Sequence, residues 1–138
     1  MSQHLDASPY WFNTDVVPDG YIEGKRIYLA YPPGPMYQRG EDRSQGNISQ
    51  SAATVMRAPN DMGYAASTLL KMGCEVKFTD FQTEMKSEHD VLIALEEFRP
   101  DALLISITNS TIINDLKLID KVKEKWPTLV IVVKGSLF

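Results

Sequence analysis

The sequence carries a single cysteine, Cys74, among 138 residues. One thiol cannot close an internal disulfide, and this chain alone cannot build a cysteine-based iron–sulfur or zinc site, so a reducing compartment is expected. Basic charge is also short. Fourteen Lys and Arg against 18 Asp and Glu leave a formal net charge of −4, the opposite of the balance that a phosphate-backbone surface needs. Long apolar runs are missing too: none approaches the roughly 18 residues of a membrane-spanning helix. The opening Met-Ser-Gln-His-Leu-Asp lacks the charged-then-apolar order of a signal peptide. A cytoplasmic protein that binds neither nucleic acid nor membrane is therefore expected. Histidine is scarce, with only His4 and His89, one in a polar arm and one at a helix start, and no catalytic imidazole is assigned. No catalytic or metal-ligating residue is expected from this chain.

Several nucleotide signatures are absent as well. Only Gly34 follows the first strand before a long loop, where a dinucleotide fingerprint would need Gly-x-Gly-x-x-Gly opening a helix. No Gly-Lys-Ser/Thr of a P-loop occurs. The paired acids of a phosphoacceptor receiver are replaced by Tyr31-Pro-Pro after the first strand and Ser106-Ile-Thr108 at the end of the third. Cys74 opens a strand and reads as a buried, inert thiol rather than a nucleophile.

What is present suits one compact domain, since 43% of the residues are hydrophobic. Residues 1–24 form an aperiodic arm with Tyr10 and Trp11 and a Pro18-Asp19-Gly20 turn signal. Residues 25–138 form the α/β domain. Arg26 to Tyr31 is the first strand, stopped by Pro32-Pro33-Gly34 because proline donates no ladder hydrogen bond and restricts the residue before it. A polar stretch runs to about Met56, a length that marks a functional or unstructured loop. A helix follows, capped by Asn60 or Asp61, with Met62, Ala65, Ala66, Leu69, Leu70 and Met72 as its apolar face and Gly73 at its end. Cys74 to Thr79 is an alternating strand. Ser87 and Asp90 make a capping-box-like start to a helix that carries Val91, Leu92, Leu95 and Phe98.

Asp101 to Thr111 organises the rest. Leu103, Leu104, Ile105 and Ile107 are the pattern of a strand buried on both faces, and Ser106, Thr108, Asn109, Ser110 and Thr111 gather at its carboxyl end. In an open parallel sheet that edge is where ligands bind. Asp115 to Trp126 reads as the third helix, with Leu116, Ile119 and Val122 at helical spacing, and Thr128 to Val133 as a fully apolar fourth strand. The alternation of strands and helices predicts a Rossmann-like (flavodoxin-like) parallel sheet in the order 2-1-3-4. Its switch point then brings Tyr31 to Gly34 opposite Ser106 to Thr111. The sequence stops directly after an apolar strand, which points to a truncated five-stranded domain of a longer enzyme. An uncovered last strand could pair with a second copy.

Four stretches in order carry a resemblance: Tyr31-Pro-Pro33, Ala58-Pro-Asn-Asp-Met-Gly-Tyr-Ala-Ala-Ser-Thr-Leu-Leu-Lys-Met-Gly73, Arg99-Pro-Asp-Ala-Leu-Leu-Ile-Ser-Ile-Thr108 and Val132-Val-Lys-Gly135. Together they resemble the N-terminal cobalamin-binding domain of cobalamin-dependent radical S-adenosylmethionine enzymes, over about residues 25–138. The resemblance implies cobalamin as cofactor. It also implies that the 4Fe-4S cluster and S-adenosylmethionine belong to a missing parent domain that performs methyl transfer or cyclase-type chemistry. The implied cofactor-binding residues are Tyr31, Pro32, Pro33, Gly34, Ser106, Thr108, Asn109, Ser110 and Gly135. The alternative is a non-catalytic nucleotide-binding or docking domain of the same fold. Two positions depart from the family pattern: Asp61 and Lys134 stand where glycines are usual. The Asp-x-His-x-x-Gly loop and the Cys-x-x-x-Cys-x-x-Cys motif are both absent, so this loop offers no histidine to cobalt.

Overall fold

The computed structural model describes residues 20–34, 60–108 and 111–135. Within them lie β1 (Arg26–Tyr31), α1 (Asn60–Lys71), β2 (Glu75–Asp80), α2 (Glu88–Phe98), β3 (Ala102–Ser106), α3 (Ile112–Lys125) and β4 (Val130–Lys134). The strands form one sheet in the order β2-β1-β3-β4, and every neighbouring pair is parallel. This is the expected Rossmann-like α/β arrangement. Tyr10, Trp11, Asn109 and Ser110, with most of the long loop after Gly34, lie outside the described residues.

Side chains alternate across a strand, so the register decides which residues share a face. Tyr28 and Ala30 of β1 and Leu103 and Ile105 of β3 join Phe81, Val91, Leu95, Phe98, Leu118 and Val122 in the larger core, under α2 and α3. The opposite face holds Leu29, Tyr31 and Met62, with Ala65, Ala66 and Leu69 of α1 against Val76, Phe78 and Leu104. β1 is thus buried on both sides. Each fully buried side chain of this size contributes about 1.5–3 kcal/mol through removal of its surface from water. The β4 strand is an edge, and Val130 and Val132 remain 57% and 50% exposed. Although its sequence is apolar, β4 alternates between half-buried and exposed residues, because α1 covers the β1 and β2 side of that face.

Local chemistry sets the element ends. At α2 the Ser87 N–H donates to Asp90 Oδ2 at 2.7 Å and the Asp90 N–H to Ser87 Oγ at 3.3 Å, a reciprocal box that uses two amides left over by the first turn. These bonds to Ser87, backbone first, hold the Asp90 carboxyl below its ordinary range. Arg99 ends the helix in the left-handed conformation (φ 51°, ψ 64°), its N–H returning to Leu95 O at 2.8 Å. Gly73, at φ +84°, closes α1, and a side chain there would also meet Glu23 Cγ at 2.8 Å. The turn at residues 20–24 is held to this junction by the Gly24 N–H to Gly73 O bond and by the Cys74 thiol donating to Ile22 O. Burial pushes that thiol's pKa up, in keeping with an inert side chain.

Two expected apolar faces are corrected. On α1, Leu70 and Met72 are exposed, because the buried stripe is set by Met62, Ala65, Ala66 and Leu69. The α3 helix starts at Ile112 rather than Asp115, and it buries Asp115, Leu118 and Val122 while Leu116 is exposed. Its core stripe begins on a carboxylate, which a search for apolar periodicity passes over.

Candidate functional site

The carboxyl ends of β1 and β3 meet at the point where strand order reverses. On the face shared with α1, the register sets Asp80 of β2 beside Tyr31 of β1, and Ser106 of β3 beside Lys134 of β4. A polar row therefore crosses the end of all four strands. Ser106 and Thr108, expected to be partly buried at this edge, are buried, 1% and 2% exposed. Pro32 is buried, Pro33 half-buried and Gly34 exposed. A Cβ on Gly34 would lie 3.9 Å from Thr111 Cγ2, so the loop leaving β1 reaches the start of α3. The structure thus brings Tyr31, Pro32, Pro33 and Gly34 to the same edge as Ser106 and Thr108.

Gly135 also belongs to this edge, but for an internal reason. A Cβ there would come 2.9 Å from the Ile107 carbonyl oxygen, while the Ile107 N–H donates to Lys134 O at 2.8 Å. The missing side chain is what lets the end of β4 lie against the end of β3.

The two departures from the family pattern prove to be partners. Asn60 is already helical, and Asp61, instead of capping α1, turns sideways. Its Oδ1 accepts from the Tyr31 hydroxyl at 2.7 Å, and Lys134 Nζ bonds its Oδ2. Burial alone would raise the Asp61 carboxyl, but Lys134 and the Tyr31 hydroxyl together outweigh it and hold the group below the usual carboxylate range. On the α3 side, Thr111 Oγ1 donates to the buried Asp115 Oδ2 at 2.7 Å, and the Thr111 N–H returns to Thr108 O at 3.1 Å. An anion in the first turn of a helix is favoured by the helix dipole.

Asp115 and the Asp61–Lys134 pair were not singled out as site residues by sequence reasoning. An Asp four places after a Thr at a helix start is the signal for the first. The second has no local signal, since its members are 73 positions apart.

Below the sheet, a cleft of about 430 Å³ opens at the amino-terminal edge among Leu95, Arg99, Pro100, Asp101, Trp126 and Leu129. Several of its charges are already engaged: Lys125 pairs with Glu96, and Asp101 accepts from the Arg26 N–H at 2.8 Å. It lies opposite the switch point, where open α/β sheets bind ligands. Among the described residues no group of three His, Cys, Asp or Glu side chains is placed to hold a metal, and no helix is long and apolar enough to cross a membrane. Compared with known protein families, characterised proteins and solved structures, the chain matches none.

Proposed function

We propose that this chain is the cobalamin-binding module of a larger radical S-adenosylmethionine enzyme. Its cluster, S-adenosylmethionine and substrate would then belong to a further domain. The observation that supports the reading is the meeting of Tyr31 to Gly34 with Ser106 and Thr108 at the switch point of the sheet. In this reading the hydroxyls of Ser106 and Thr108 bond the phosphate and ribose of the cofactor's nucleotide tail. The Pro32-Pro33-Gly34 turn lets the tail approach the end of β1. Cobalamin, when bound, supplies cobalt-centred methyl or radical chemistry. The chain's own part is to orient and shield it. A cytoplasmic location and a homodimer through the free edge of β4 belong to the same proposal.

A second reading is a nucleotide-binding or docking domain of this fold that does not take cobalamin. Two observations favour it: the Asp61–Lys134 pair across the candidate mouth and the internal use of the gap at Gly135.

Titration of hydroxocobalamin, followed by its absorbance spectrum, separates the two. Under the first reading the protein binds, and the Ser106→Val/Thr108→Val double variant binds more weakly. Each lost partner costs about 1–3 kcal/mol, roughly ten- to a hundredfold in affinity. Equal binding by both proteins removes these hydroxyls from the site, and no binding by the wild type removes the cofactor.

A further inference from the structure

Ser106 ends a strand at the edge of a sheet where ligands would enter, yet it is 1% exposed. The side chains around it give a reason. Neighbouring strands are about 4.8 Å apart, and β1 and β4 lie on either side of β3. Tyr31 from β1 and Lys134 from β4 both bond Asp61 of α1, so the three side chains span β3 at the level of Ser106. We infer that Tyr31, Asp61 and Lys134 form a roof over Ser106 at the carboxyl edge of the sheet. A ligand opens the roof by presenting an oxyanion that replaces the Asp61 carboxylate on Lys134 Nζ and the Tyr31 hydroxyl.

The chemistry of the displaced group selects the ligand class. Both residues donate to one carboxylate, so a group that takes its place on both must itself be an acceptor. A phosphate or carboxylate satisfies both. Opening is also feasible, because the Lys134 and Asp61 side chains keep 46% and 34% of their exposure. A released Asp61 can therefore be hydrated, and added salt weakens the pair. This deepens the cofactor reading and rests on it for the ligand, since the nucleotide tail of cobalamin contains a phosphodiester. The roof itself stands on the structure alone.

Two measurements separate these layers. In the first, Ser106→Cys is introduced into a Cys74→Ala background and its reaction with a thiol reagent is timed without ligand. The expected result is slow labelling, about fivefold faster in 0.5 M salt or when Asp61→Asn or, as a second and independent variant, Lys134→Met is added. Circular dichroism shows which variants are folded. Equal rates in the folded variants overturn the roof. The second measurement compares hydroxocobalamin, cobinamide, which lacks the phosphate-bearing tail, and inorganic phosphate. Asp61→Asn is expected to bind hydroxocobalamin up to about fivefold more tightly than wild type, and Lys134→Met about tenfold more weakly. Cobinamide affinity should not change with Lys134→Met. Phosphate that competes with hydroxocobalamin in the wild type and loses that competition in Lys134→Met supports the oxyanion contact. Hydroxocobalamin binding that ignores both substitutions overturns it. Faster labelling in Asp61→Asn together with no hydroxocobalamin binding by any variant would leave the roof standing and discard the cofactor reading.

Discussion

On one face of the sheet Tyr28, Leu103, Ile105, Leu118 and Val122 are shut beneath two helices, whereas on the other Val130 and Val132 stay half in water beside the single helix α1. The closed face is aromatic and dense: Tyr28 meets Phe98 edge-on with ring centroids 5.6 Å apart, and Phe81 at 6.3 Å. Its one prominent hydroxyl pair, Tyr28 with Thr79 at 2.6 Å, satisfies itself, and burial pushes the Tyr28 hydroxyl's pKa up. The other face carries its polar groups in a row at the carboxyl edge and leaves apolar surface uncovered at β4. The densest apolar packing and the polar row therefore lie on different sides of the same four strands.

The comparison can be broken most severely at Leu103. It is fully buried between β1 and β4, and Leu103→Ala is expected to cost about 2–5 kcal/mol, read as a lowered urea midpoint. A loss below about 1 kcal/mol would show that the closed face is not the stabilising one.

A smaller effect is expected at the polar row. Asp61 is partly exposed, so its pair with Lys134 should contribute on the order of 1 kcal/mol at most. Because its folded pKa is lowered from 3.8, the contribution is present above the ordinary carboxylate range and drains away as pH falls through the lower folded value. The stability gap between wild type and Asp61→Asn should therefore be steady from about pH 7 to 5 and close below about pH 4. A gap that widens on acidification would contradict the pairing.

The smallest effect belongs to the open strand. Val132→Lys should change monomer stability by no more than about 0.5 kcal/mol, as for an ordinary surface site. If β4 joins two copies, the same substitution abolishes the dimer in sedimentation velocity. Sedimentation that is identical with and without it removes the dimer through β4.

Much of the architecture was written in local chemistry. Pro32 and Pro33, the Ser87–Asp90 box and Gly73 each act within a few residues, so the strand–helix alternation and the order 2-1-3-4 could be read directly. Exposure on helices was less legible. Leu70 and Leu116 differ from Leu69 and Leu118 only by which way the helix is turned, and that is decided by the sheet beneath them. At the candidate site, Ser106 and Thr108 were legible as partly buried hydroxyls at a strand end, but the Asp61–Lys134 pair beside them was not. Asp61 and Lys134 each looked like a misfit alone and make sense only beside the other. Gly135 carries the same lesson: its lack of a side chain answers to the Ile107 carbonyl, just past the end of β3.

The parallel register has a consequence for the order in which the chain can assemble. β1 is one of the two strands with partners on both sides, yet Tyr28 and Thr79 are 51 positions apart and Arg26 and Asp101 are 75 apart. During synthesis Arg26 to Tyr31 emerges long before Glu75 to Asp80 or Ala102 to Ser106 exists to pair with it. Closing such long loops costs more entropy than joining β3 to β4 across α3. A central strand of the finished sheet is thus made early and satisfied late, and in the interval its Tyr-Leu-Ala-Tyr run lacks its sheet partners.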